Sequence, residues 1–207
     1  VTDLIHSYTA RFNSELKRAA IGLDSFLEDT FRGEDSVCFI RTRAKSIARF
    51  MKKAERIEGD GSPRYDDPIN QIQDQIGGLI VTRFLSDVVQ LKNIVKDSFT
   101  GIETMRHEPE SEFEFGYIGE HFILFLPLDV TSEIQDYCGP DFFELQIKTL
   151  FQYAWSETNH AIGYERPHDL NREQRRITAY IAAQAWGADR AVDELNAAIM
   201  QESKQNA

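Results

Sequence analysis

Residues 142–148, FFELQIK, set Glu144, Gln146 and Lys148 between Phe143, Leu145 and Ile147. Side chains of an extended strand point to opposite faces in turn, so the three polar groups share one face and the three apolar groups the other. Buried carboxylates and ammonium groups are costly unless they are paired or used. The run therefore reads as the polar floor of a site on an otherwise apolar sheet. There Glu144 could accept a proton from a hydroxyl nucleophile, and Lys148 could hold a phosphate. The plainer alternative is a surface strand with a Glu–Lys ladder, and the apolar flanks weigh against it.

Three further groupings could do chemistry. Between Arg41 and Arg56 stand seven basic residues (Arg41, Arg43, Lys45, Arg49, Lys52, Lys53 and Arg56) and one acid, Glu55. A helix there places Lys45, Arg49, Lys52, Lys53 and Arg56 on one face, and Ile47, Phe50, Met51 and Ala54 on another. Many such faces are only solvated. This one is nearly single-signed in an acidic chain, and Arg41 and Arg43 alternate on the strand ahead of it, so polyphosphate is its natural partner. In IQDQIGGLIVTRF, Asp74 precedes a buried strand whose Gly77 and Gly78 permit close backbone approach. The carboxylate either caps a turn or suits Mg²⁺, which takes one or two carboxylates plus phosphate oxygens. In FGYIGEH, Tyr117, Gly119 and His121 share one strand face. The glycine leaves a slot beside which a tyrosine can stack on a base, although such rings are more often core.

The elements that must position these groups follow from periodicity and breakers. Residues 2–32 form an amphipathic helix with a break expected near Gly22. A strand follows over 37–41, a helix over 44–57, and a loop over 58–68 rich in glycine, proline and aspartate. INQIQDQI makes a short helix or turn ahead of a strand over 78–84. Ser86 caps a helix that buries Val88, Leu91, Ile94, Val95 and Phe99. GIETMRH reads as a strand, and GYIGEHFILFLPL as one covered on both faces. The 139–148 strand precedes a helix over 149–163, and an alanine-rich helix spans about 170–202 with a bend at Gly187. The expected fold is α/β (α+β), a mixed β-sheet core flanked by helices, in one domain over 1–207.

Composition narrows the function. The chain has 207 residues, 42% hydrophobic and 28% charged, with a formal net charge of −11. That excludes broad, sequence-blind nucleic-acid binding, which needs a wide basic surface. No apolar run approaches the ~20 residues of a membrane helix. Cys38 and Cys138 have no metal-ligand spacing and read as reduced, buried thiols of a cytoplasmic protein.

The order of these motifs resembles the RelA/SpoT nucleotide pyrophosphokinase domain. The matches are Asp74 and Gly77; Gly116, Tyr117 and His121; Glu144, Gln146, Ile147, Lys148 and Thr149; and Trp155, His160 and Tyr164. They cover about residues 36–165, a nucleotidyltransferase-like core, and the flanking helices resemble those of small alarmone synthetases. The resemblance implies transfer of pyrophosphate from ATP to the ribose 3′-hydroxyl of GDP or GTP. It implies that Arg41, Arg43, Lys45, Lys52 and Lys53 hold ATP phosphates and that Asp74 and Glu144 hold Mg²⁺. Glu144 orients or deprotonates the hydroxyl, while Tyr117, His121, Gln146 and Lys148 meet the acceptor. Relatives of this kind are often homo-oligomers.

The departures lie in substrate contacts. The arginine usual two residues after Gly77 is replaced by Leu79, and Arg83 shares its strand parity. The loop before Tyr117 carries Glu108, Glu110, Glu112 and Glu114 where lysines are usual, and Ile118 and Gly119 replace an arginine and a serine. Two alternatives follow. One is a toxin-type synthetase acting on the tRNA 3′ end or on adenine nucleotides, with an antitoxin partner. The other is an inactive nucleotide-binding regulator.

Overall fold

A computed structural model describes residues 2–112, 114–116, 118–164 and 170–205. The N-terminal helix begins as α1 (Thr2–Arg11) and passes through a π-helical turn (Phe12–Leu16) into α2 (Lys17–Thr30). The irregularity expected at Gly22 lies about two turns earlier, at Phe12–Leu16. Gly22 stays helical and serves packing instead, since a Cβ there would sit 3.3 Å from Val130 Cγ1. Then follow β1 (Val37–Ala44), α3 (Ile47–Ala54), α4 (Pro68–Gln71), a 3₁₀ turn (Gln73–Gln75), β2 (Ile76–Thr82), α5 (Leu85–Ser98), β3 (Gly101–His107) and β4 (Gly119–Phe125). A short α6 (Leu128–Ser132), β5 (Phe142–Thr149), α7 (Leu150–Tyr164) and α8 (Arg172–Gln205) complete the chain.

The five strands form one mixed sheet in the order β1-β2-β5-β4-β3, with β2 and β5 parallel and the other neighbours antiparallel. Its apolar face buries Ile80, Phe122, Phe143, Leu145 and Ile147 against Leu23 and Leu27 of α2 and Leu91 and Val95 of α5. Gly78 is the close approach: a Cβ there would lie 3.0 Å from Leu145 Cδ1 and 3.1 Å from Leu27 Cδ1. The other face is polar. Helix α1 braces its lower end, with Tyr8 stacked on Phe50 at 3.6 Å and its hydroxyl donating to Lys45 O at 2.7 Å.

Several boundaries differ from the sequence expectation. Strand β1 runs on through Arg43 to Ala44, and β2 starts and ends two residues early. Ser86 is not the cap of α5. Asp87 accepts the Phe84 N–H at 3.0 Å, and Ser86 instead donates through N and Oγ to Asp193 Oδ1 at 3.0 and 2.7 Å. Helix α8 is continuous through Gly187. Both cysteines are free, but Cys138 is exposed and Cys38 half-buried, so neither is the buried thiol expected. Among the described residues, no helix is long and apolar enough to cross a membrane.

One buried charge on α8 gives a stability prediction. Asp189 is 3% exposed, and its Oδ1 has no hydrogen-bond partner. Burial pushes its carboxyl up to about 6, the bond from Thr149 opposes this, and Asp193 adds to it. Between pH ~4 and ~6 the native state therefore keeps a proton that the unfolded chain has released, so stability falls as pH rises through that window. Asp189→Asn is expected to stabilise the fold at pH 7 by up to ~3 kcal/mol and to be neutral near pH 4. Thermal melts of both proteins at the two pH values check this; an equal gain at both would refute it.

Candidate functional site

Sheet register brings the predicted side chains onto one face. Arg43, Gly77 and Glu144 lie on one rung; Arg41, Leu79, Gln146 and His121 on the next; Phe39, Val81 and Lys148 on a third. Gly77 keeps the floor low between Arg43 and Glu144, where a Cβ would meet nothing closer than 3.9 Å. The alternation read in FFELQIK is thus the alternation of this sheet.

Asp74 sits at the mouth of β2, in a turn held from behind. Gln75 is fully buried, and its amide donates to Ile69 O at 2.7 Å and Ile72 O at 3.0 Å. Arg11 reaches the same Ile69 carbonyl at 2.9 Å, and the Lys45 N–H donates to Gln75 O at 2.8 Å. Backbone and side chains together thus aim Asp74 at the basic segment. Lys45 Nζ lies 2.6 Å from Asp74 Oδ2, and Lys53 Nζ 3.0 Å from Oδ1. Oδ1 still receives no hydrogen bond of good geometry, so acceptor capacity remains. Burial lowers the Lys45 pKa, while Asp74 supports its charge. Ser46 Oγ accepts from the Arg49 N–H at 3.4 Å and starts α3. This helix presents Lys53 inward and leaves Lys52 exposed.

Glu144 is the second centre. His121 Nδ1 lies 2.8 Å from its Oε1, and Gln146 Nε2 donates to Oε2 at 2.8 Å. Burial alone would raise its pKa. The His121 and Gln146 bonds, the His121 charge and Lys53 outweigh that and bring it down to about 2. Glu144 is therefore an ionised acceptor at neutral pH. The influence of Lys53 on both carboxylates ties the Asp74 and Glu144 centres together.

The wall opposite is a stripe of α7. Tyr153, Ser156, Glu157 and His160 recur at helical spacing. Tyr153 OH lies 3.1 Å from Arg41 Nη1, and Lys148 Nζ lies 3.2 Å from Ser156 Oγ. Burial brings Lys148 down to about 8, although Glu157 and Glu144 favour its charge. His160 is lowered by burial and by Lys148, Arg49 and Arg43, with Glu157 opposing.

The sequence reading missed Tyr153 and Ser156, although the stripe beside His160 was a readable signal. It also missed His107, whose ring centroid lies 4.3 Å from that of His121. Cross-strand register places His107, and periodicity carries no trace of it. Arg83 does not replace the missing arginine at Leu79, because it donates to Asp35 O beyond the end of β2. Tyr117 lies outside the described residues. Two surface hollows, one bounded by Phe26, Phe99 and Tyr137 and the other by Arg18, Phe26 and Glu133, share no residue with this cluster.

The family model described as "Region found in RelA / SpoT proteins" matches residues 42–169, which include Arg43, Lys45, Lys53, Asp74, His121, Glu144, Gln146 and Lys148 but not Arg41. The chain belongs to the RelA/SpoT family. Among curated relatives of this RelA/SpoT protein is the GTP pyrophosphokinase YwaC of Bacillus subtilis (strain 168), 22% identical over 169 residues, 78% of each chain. Among solved structures, small alarmone synthetase 1 of Bacillus subtilis bound to its product pppGpp superposes with a TM-score of 0.74 at 22% identity. The match covers 93% of this chain and 98% of that one. A GTP pyrophosphokinase family protein of Streptococcus pneumoniae gives a TM-score of 0.73 at 19% identity, over 95% and 96%. At these identities the likeness establishes the fold: a five-stranded mixed sheet flanked by helices.

Proposed function

We propose that this RelA/SpoT protein transfers the β,γ-pyrophosphate of ATP to the ribose 3′-hydroxyl of GDP or GTP, releasing AMP. The observation that carries this is the convergence of Lys45, Lys53 and Asp74 with His121, Gln146 and ionised Glu144 on one face of the sheet. The relatives named as GTP pyrophosphokinases support the reaction class. On this reading residues 1–207 work as one domain, in the cytoplasm where the nucleotides are.

The donor set fits Mg²⁺. It offers two ionisable carboxylates, one with a buried oxygen lacking a well-formed hydrogen bond. No group of three His, Cys, Asp or Glu side chains suited to a metal occurs among the described residues. A cation that keeps water and phosphate ligands needs no such cage. Asp74 and Glu144 would hold the ion, which would neutralise charge on the phosphate oxygens.

The protein's own groups then position and polarise. Arg41, Arg43, Lys45 and Lys53 hold the triphosphate, with Lys52 adding charge at the rim. Attack of the 3′-oxygen at the β-phosphorus spreads charge over phosphate oxygens, so alignment and fixed positive charge supply most of the catalysis. Glu144, kept ionised and oriented by His121 and Gln146, accepts the hydrogen bond of the attacking hydroxyl. Tyr117, His121, Gln146 and Lys148 contact the acceptor.

Lys148 gives this arrangement a pH signature. With its pKa near 8, the free enzyme loses the positive charge above that value. The kcat/KM for acceptor is expected to fall about tenfold per pH unit beyond it. Lys148→Arg stays protonated and is expected to flatten the alkaline limb; an unchanged limb would exclude Lys148 as its origin.

A second reading is favoured by one observation, the glutamates at 108, 110, 112 and 114 in the loop leading to β4, which disfavour a polyphosphate acceptor. The acceptor would then be the 3′ end of tRNA, in a toxin-type protein with an antitoxin partner. Labelled ATP, Mg²⁺ and, separately, GDP, GTP, ADP and deacylated tRNA decide between them. A labelled guanosine product supports the first reading and a labelled tRNA end the second. No transfer to any acceptor sinks both.

A further inference from the structure

We propose that Trp186 is a positioning residue for the acceptor side of the site: from the C-terminal helix it clamps the acidic loop that joins β3 to β4. The loop leaves the sheet after His107 and returns at Gly119, two residues that pair across the strands. His107 also touches His121, the partner of Glu144. Whatever holds the loop therefore sets the rim beside the Glu144 centre.

Two anchors hold it. At its start Arg106 pairs with Glu108 at 3.0 Å and lies 4.0 Å from Glu120, itself paired with Lys92 at 2.9 Å. Near its end the Phe115 ring meets Trp186 edge-on, centroids 5.7 Å apart at 70°. One turn further along α8, the Arg190 guanidinium lies 4.3 Å from the Trp186 ring. Phe115 and Trp186 are each 40% exposed, so this contact is not part of the hydrophobic core.

Helix α8 is a fixed post for that purpose. Ala182, Trp186, Asp189, Arg190 and Asp193 form one stripe at helical spacing. Asp193 binds the first turn of α5, and Asp189 is buried at 3% exposure on the same side of the helix. The same stripe that docks the helix thus carries the indole that receives Phe115. A clamp matters here because Glu108, Glu110, Glu112 and Glu114 repel one another and any incoming phosphate. Held to α8, the loop keeps its carboxylates in one place; released, it sweeps them across the acceptor entrance. The acceptor part of this inference rests on the proposed pyrophosphate transfer, while the clamp itself does not.

The test uses the full chain, with ATP as donor, GDP as acceptor and a glutamate-specific protease as structural probe. An aromatic pair with a stacked guanidinium governs an equilibrium by about tenfold, so Trp186→Ala is expected to raise the KM for GDP by about that factor. The KM for ATP and kcat are expected to stay within about twofold, and Trp186→Phe to restore the GDP value. Cleavage after Glu110, Glu112 or Glu114 is expected to quicken about tenfold in Trp186→Ala and not in Trp186→Phe. An unchanged cleavage rate would show that no clamp exists. Faster cleavage with an unchanged KM for GDP, or an equal loss on ATP and GDP, would overturn the positioning role. A wild-type protein inert toward GDP would instead refute the functional reading, leaving the protease rates to decide the clamp.

Discussion

Replacing Glu144 with glutamine is expected to reduce pyrophosphate transfer by about 10³-fold or more while nucleotide still binds. The carboxylate accepts from His121 on one oxygen and from Gln146 on the other, and burial is overcome to keep it ionised. Glutamine keeps the shape and one acceptor oxygen. It loses the charge and turns an amide toward a donor that needs an acceptor. Both the proposed hydroxyl contact and one proposed metal ligand go with it.

A stability cost accompanies that change, and its sign is fixed. A carboxyl brought down to about 2 in the fold contributes stability above its unfolded pKa, lost as pH falls from ~4.5 toward 2. At pH 7 the variant is therefore expected to be less stable by up to ~3 kcal/mol. Circular dichroism at 20 °C should still show a folded protein. Single-turnover transfer from labelled ATP to GDP is the deciding measurement; a folded variant within about tenfold of wild type would remove Glu144 from the chemistry.

How far the sequence predicts this arrangement depends on the range of the interaction involved. Parity along β5 is local, and it placed Glu144, Gln146 and Lys148 on one face correctly. The grouping of Asp74 with the basic segment was legible as a set of residue types. Which lysines it involves was not, because Lys45 and Lys53 are selected by the turn that Gln75 and Arg11 hold. The break near Gly22 misled because glycine is a weak helix former whose packing reason, contact with Val130, is tertiary. Serine is a good cap, yet Ser86 serves α8 through Asp193, 107 residues away. His107 and the Trp186 contact are the extreme cases. Each depends on a neighbour that only strand register or helix docking supplies, so no window of sequence contains it.

Asp74→Asn separates two roles that the wild-type carboxylate combines, and the outcome turns on Mg²⁺. The side chain neutralises Lys45 and Lys53 and is also one of two carboxylates proposed to hold the cation. Without Mg²⁺, the variant frees two partly buried ammonium groups to meet phosphate, so ATP is expected to bind as tightly as to wild type, or more tightly. With Mg²⁺, wild type is expected to gain affinity and the variant not, and transfer is expected to fall about 10²–10³-fold. Calorimetric titration of a non-hydrolysable ATP analogue with and without Mg²⁺ reads both effects at once. An identical Mg²⁺ gain in both proteins would mean that Asp74 only balances the lysines. A loss of ATP binding without Mg²⁺ would mean that the ion pairs shape the donor site itself, because lysines released from Asp74 can then no longer be what grips the phosphates.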